Sequence, residues 1–129
     1  MGLFQKPPTP EELEQQQRYE DSKLRLLELH KHANVIFYID EVSIDPDSHR
    51  QLLTGEMGKG LLKPGMDLQI YSCEGLLVGT MTTDTISEKT EKHYIVGTSI
   101  YVLCFPKDAW DGYIPGQLLV QLPSDTQNP

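Results

Sequence analysis

Between Thr54 and Ile70 the chain reads TGEMGKGLLKPGMDLQI, two strand-like segments meeting across a glycine-rich connection. Leu52 to Met57 reads as a strand. After the connection Met66, Leu68 and Ile70 alternate with Asp67, Gln69 and Tyr71, the period-two signature of a strand with one buried face. Lys63-Pro64-Gly65 suits a turn, because proline presets φ at the second position and glycine accepts a positive φ at the third. Gly55, Gly58 and Gly60 lie in and just after the first strand, where glycines mark the bulges and bends by which small barrels turn corners. A phosphate-cradling loop is excluded: the Walker A pattern needs glycine where Leu53 stands and serine or threonine where Gly60 stands.

The flanking chain agrees with a single β-rich domain preceded by a helix. With 129 residues there is chain enough for one self-sufficient core. Residues 1–8, with Pro7 and Pro8, read as a flexible tail. Thr9 is an N-cap, Pro10 suits the first helical position and Glu12 closes a capping box, so a helix is expected from Pro10 to about His30. Its first half is polar apart from Leu13 and Tyr19. In the second half Leu24 and Leu27 share one face, while Leu26 and Leu29 point nearly the opposite way. Such a helix either wedges between two surfaces of its own domain or offers one side, Leu26 and Leu29, to a partner.

From His32 the period changes to two. Val35, Phe37 and Ile39 alternate with Ile36, Tyr38 and Asp40, and Asp45-Pro46-Asp47-Ser48 is a turn. Glu74-Gly75 makes a hairpin into the threonine-rich strand LLVGTMTTDTI, Ser87 to Lys92 reads as a charged loop, and residues 93–105 form one strand or two broken at Gly97. Tyr113 to Leu122 is a closing strand, and residues 123–129 read as a second flexible tail. Residues 32–122 are therefore expected to form a mainly β, six- or seven-stranded antiparallel barrel.

Charge and special residues narrow the function. The net charge is −8; residues 1–32 hold five bases against six acids, and the rest holds six against thirteen. Such a barrel repels phosphates on average, so RNA binding requires Lys59, Lys63, Lys89, Lys92 and Lys107 to gather on one face. Cys73 and Cys104 fall in apparent strands and read as small hydrophobes rather than a disulfide. No apolar run is long enough to span a bilayer, Lys6 stands where an N-myristoylation signal wants serine or threonine, and a cytoplasmic protein is expected. The Asp45–Ser48 turn lacks the later ligands and the glycine of a calcium loop, and His30 and His32 fit helix-end capping better than zinc. No metal, cofactor or catalytic set is implied. Trp110, the only tryptophan, lies between Asp108 and Asp111 as either a lid on the core or a contact point.

Thr54, Gly55, Gly60, Leu61, Leu62, Lys63, Gly65, Leu68 and Ile70 together resemble the second strand pair of domain II of translational GTPases of the elongation factor Tu type. Gly97 with Ile100 and Val102 is similar to the later glycine-containing strand of that family, and Ile114-Pro115-Gly116-Gln117-Leu118-Leu119 to its closing strand, with Pro115 in place of the usual basic residue. The similarity spans about residues 34–122. These residues carry neither a Walker A motif nor the Asn-Lys-x-Asp base-reading motif of the GTPase domain. What the resemblance implies is a non-catalytic binding barrel, which in the family touches ribosomal RNA, the end of aminoacyl-tRNA or neighbouring protein domains. The acidic charge favours a protein surface or self-association, with Lys59, Lys63, Trp110, Leu26 and Leu29 as candidate contacts. RNA or ribosome association through the Lys59/Lys63 edge is the alternative, and an acidic inhibitor or immunity-type protein, suggested by size and charge, is a further one.

Overall fold

The capping box forms at the helix start. Thr9 Oγ1 accepts from the Glu12 amide at 3.1 Å and Glu12 Oε1 accepts from the Thr9 amide at 2.8 Å, satisfying two otherwise orphaned donors. In the computed structural model, which describes residues 9–93 and 97–123 and only the backbone of residues 88–93 and 97–100, helix α1 runs over Pro10–His32. His30, Lys31 and His32 occupy its last turn, where positive charge complements the helix dipole. The expected tails lie in or border segments outside the described residues.

Among the described residues six strands follow: β1 Val35–Ile44, β2 Gln51–Lys59, β3 Asp67–Tyr71, β4 Leu77–His93, β5 Gly97–Pro106 and β6 Leu118–Gln121. Every pairing is antiparallel, and the order β1-β2-β5-β4-β3-β6 returns to β1, closing the ring into a barrel. Closure gives every strand a paired neighbour on each side over at least part of its length. Inside lie Val35, Phe37, Ile39, Leu53, Leu68, Ile70, Met81, Val102, Cys104 and Leu119. A second apolar cluster forms on the outside of β1 and β6, where Leu29 of the helix and Ala33 at its C-cap, with Leu26 beside them, cover Ile36, Leu118 and Val120.

The glycines of the connection act as close-approach points. At Gly55 a Cβ would stand 1.8 Å from the Tyr38 carbonyl oxygen, and at Gly58, the extra residue of a bulge between the Ile36 and Phe37 pairings, 2.3 Å from the Tyr38 ring. Gly65 has φ +76°, as its turn requires. Thr83, 1% exposed, is threaded into that turn. Its hydroxyl accepts from the Met66 amide at 2.9 Å and donates to the Lys63 carbonyl at 2.6 Å, while its backbone pairs with Gly65 and Met66.

Three expectations need correction. Ser87 to Lys92 is not a loop but a continuation of β4, paired residue by residue with β5 as far as His93 and Gly97; a ladder of backbone hydrogen bonds is indifferent to side-chain polarity. The closing strand is only Leu118–Gln121. Ahead of it Gly116 takes φ +96° and the Gln117 side chain, 5% exposed, accepts from the Ile114 amide and donates to the Gly112 carbonyl, bending the chain into a loop. Cys73 sits in the β3–β4 turn and is exposed, while Cys104 is buried in β5; both are free.

Replacing Thr83 with valine keeps the shape but leaves the Met66 amide and the Lys63 carbonyl without their partner. Chemical denaturation of Thr83→Val should show a loss of about 2 kcal/mol. A change below about 0.5 kcal/mol, within the range of ordinary surface substitutions, would contradict the bridging role.

Candidate binding site at the Trp110 loop

The loop between β5 and β6 is tied to the ring at both ends. Lys107 donates its amide to the Thr82 carbonyl at 2.8 Å, and Gly116 donates to the Ile39 carbonyl at 2.8 Å. Between these anchors the first residue of β2 grips the tryptophan backbone. Gln51 Nε2 donates to the Trp110 carbonyl and Gln51 Oε1 accepts from the Trp110 amide, both at 2.9 Å. The indole meets the Tyr113 ring edge-on at a centroid distance of 5.0 Å. At Gly112 a Cβ would stand 2.2 Å from the indole, so glycine there makes room for the ring. Trp110 is nevertheless 38% exposed, while Tyr113 is buried in the core cluster.

The ring forms a wall between two depressions. One, of about 660 Å³, runs along β3 and β4 and is lined by Asp67, Gln69, Thr80, Thr82, Asp108 and Tyr113 among others. The other, of about 390 Å³, lies towards His49, Arg50, Lys107 and Asp111. Arg50 is already engaged: it pairs with Asp84 at 2.8 Å, donates to the Pro106 carbonyl at 3.2 Å and lies over the Phe105 ring at 5.1 Å. On the first side Asp67 Oδ1 accepts from the Thr82 hydroxyl at 2.6 Å. Burial pushes the Tyr113 phenol up to about 12, with further contributions from Cys104 and Asp108; burial alone lifts the Cys104 thiol to about 12.

The other residues singled out in the sequence lie elsewhere. Leu26 and Leu29 face the barrel, Leu29 only 8% exposed, so they serve the molecule's own packing; the outward leucines are Leu24 and Leu27, 62% and 56% exposed. Lys59 donates Nζ to the His30 carbonyl at 2.8 Å and so caps the helix C-terminus. Lys63 is exposed on the β2–β3 connection and Lys107 is exposed beside Trp110. Lys89 and Lys92 stand opposite Tyr101 and Thr98 in the β4–β5 ladder. His32 contacts Glu28 one helical turn earlier at 3.1 Å, and His30 hydrogen-bonds the Tyr38 hydroxyl. Asp45 accepts from the amide and hydroxyl of Ser48, which holds its carboxyl below the ordinary value.

Among the described residues no group of three or more histidine, cysteine or carboxylate side chains gathers for a metal, and no helix is long and apolar enough to cross a membrane. No protein family, curated protein or solved structure matches the chain. Gln51 and Gly112, which position Trp110, carried no signal in the sequence, since a strand-end glutamine and a loop glycine have many commoner uses.

Cys104 and Tyr113 are both neutral in the folded protein. A raised folded-state pKa contributes stability that is complete below the unfolded value, 9.0 for the thiol and 10.0 for the phenol, and is lost as pH climbs towards about 12. Thermal melts should therefore show a melting temperature falling across that alkaline window, with the early part of the fall weakened in Cys104→Val. A thiol reagent should label Cys73 in the native protein and Cys104 only on unfolding. Rapid labelling of both contradicts the assignment.

Proposed function

We propose that this chain is a non-catalytic binding module acting through protein–protein contacts, built on a barrel of the translation-factor domain II kind. The observation that carries the reading is Trp110, a tryptophan left 38% exposed while its backbone and ring are held from several sides. Binding hot spots are enriched in tryptophan because a large amphipathic ring, immobilised beforehand, loses little conformational entropy on association. The outward leucines Leu24 and Leu27 supply a second exposed apolar surface. The barrel kinship is supported by the closed antiparallel ring and by the TGEMGKGLLKPG connection lying between β2 and β3. Engagement of Lys59 by the helix end weakens the RNA alternative, which counted on that lysine.

The test is affinity capture with the full chain against Trp110→Ala and Trp110→Phe. A protein retained by the native chain should be lost with Trp110→Ala, whose affinity should fall by about 2–4 kcal/mol, and partly kept with Trp110→Phe. Equal retention by all three chains, or material released by nuclease alone, would overturn the reading.

A further inference from the structure

The depression on the β3–β4 side of Trp110 has a one-sided composition. Its charged lining residues are Asp67 and Asp108, which stand with the polar Gln69, Thr80 and Thr82, the aromatic Trp110 and Tyr113, and apolar residues of β3 and β4. Among the described residues that line it there is no lysine, arginine or histidine. On the opposite side of the indole Arg50 is already paired with Asp84, and Lys107 is exposed there, outside the lining of this depression. An exposed indole face attracts a cation through its quadrupole, and flanking carboxylates add charge-assisted hydrogen bonds. The chain as a whole, at −8, draws positively charged partners toward itself before any contact is made. At about 660 Å³ the depression has ample room for one long side chain with the backbone that carries it.

We propose that this cleft binds a basic side chain, arginine or lysine, presented by a peptide segment of a partner protein. Its methylene stem lies along the Trp110 ring and its charged head reaches Asp67 and Asp108. The proposal rests on the protein-binding reading and adds the chemistry of the partner at the same tryptophan. Asp67 is held in place for this role by the Thr82 hydroxyl, and Trp110 by Gln51. Arginine is the better fit, because a planar guanidinium stacks on an indole while directing its donors sideways to carboxylates.

Trp110 is the only tryptophan, so its fluorescence and its indole N–H resonance report binding beside this ring without interference from another tryptophan, and the Asp67 and Asp108 variants below assign it to this side. The full chain is titrated with a short blocked arginine-rich peptide, its lysine and glutamate counterparts, a neutral oligosaccharide and a single-stranded RNA. The arginine peptide should shift both signals saturably, the lysine peptide more weakly and the others not at all. Asp108→Asn leaves the Asp67–Thr82 bond in place and should weaken binding about tenfold, as should Asp67→Asn, and added salt should weaken the native complex. An equal response to the glutamate peptide, or unchanged affinity in both variants, overturns the proposal. A Trp110 shift produced by the saccharide or RNA while the arginine peptide gives none overturns it too. If the arginine peptide fails but Trp110→Ala still abolishes capture of a protein, the charge assignment alone falls; if both fail, so does the binding reading beneath it.

Discussion

Closure of the ring hangs on β6, a strand of four residues that is apolar on both faces. Leu119 points into the barrel among Phe37, Ile70 and Leu68, while Leu118 and Val120 point outward into the cluster formed with Leu29, Ala33 and Ile36. A strand this short bridges β1 and β3 by few hydrogen bonds, and a strand with both faces apolar needs cover on both sides. The helix supplies the outer cover. It is thus the second layer that lets a minimal strand close the sheet rather than an appendage to a finished barrel. The same logic explains β1, in which Ile36 is 0% exposed although it faces away from the barrel interior.

The sharp curvature of so small a ring is met by the paired irregularities of β1 and β2. Asp40 is the extra residue between the Ile39 and Glu41 pairings, and Gly58 the extra residue on the opposite strand, so the two strands bend in step. Tyr38 lies at the crowded point, its carbonyl against Gly55 and its ring against Gly58. Its hydroxyl reaches His30 at the helix end, and the carbonyl of that same residue accepts from Lys59 at the end of β2. Helix terminus, bulged strand and connection are therefore one mechanical unit.

Much of this architecture is legible in the chain. The capping box announces the helix start, and period-two alternation places β1, β2 and β3, because local hydrogen bonding and one-sided burial leave their mark on neighbouring residues. Gly65 is legible too, since the third position of a turn that follows proline demands a positive φ, which glycine alone adopts freely. Features set by distant partners escape such reading. Ser87 to Lys92 joins a strand because β5 offers a ladder, and Tyr113 to Gln117 leaves one because Gln117 turns its amide back on the loop. The helix is visibly two-sided, but which leucines face inward depends on where β6 lies. Lys59 is conspicuous for its charge, whereas its Nζ is committed to a carbonyl contributed by another element. The site shows the same division: Trp110 stands out in the sequence, and Gln51, 59 positions away, does not.

A tryptophan whose role was only to shut the end of a barrel would gain most from complete burial, since the hydrophobic contribution grows with the area removed from water. Tyr113 satisfies that description, lying 5% exposed inside the core cluster. Trp110 does not. Its backbone is gripped by Gln51, its ring edge meets Tyr113, and Gly112 yields the space a side chain would take, yet more than a third of its surface stays in water. Immobility without burial is costly for stability alone, because side-chain freedom is surrendered for incomplete desolvation. It is the state in which a recognition residue loses least when a partner covers what remains exposed. The buried Tyr113 and the immobilised, part-exposed Trp110 are thus separate residues three positions apart, and the loop tethered between Thr82 and Ile39 holds the second against the first.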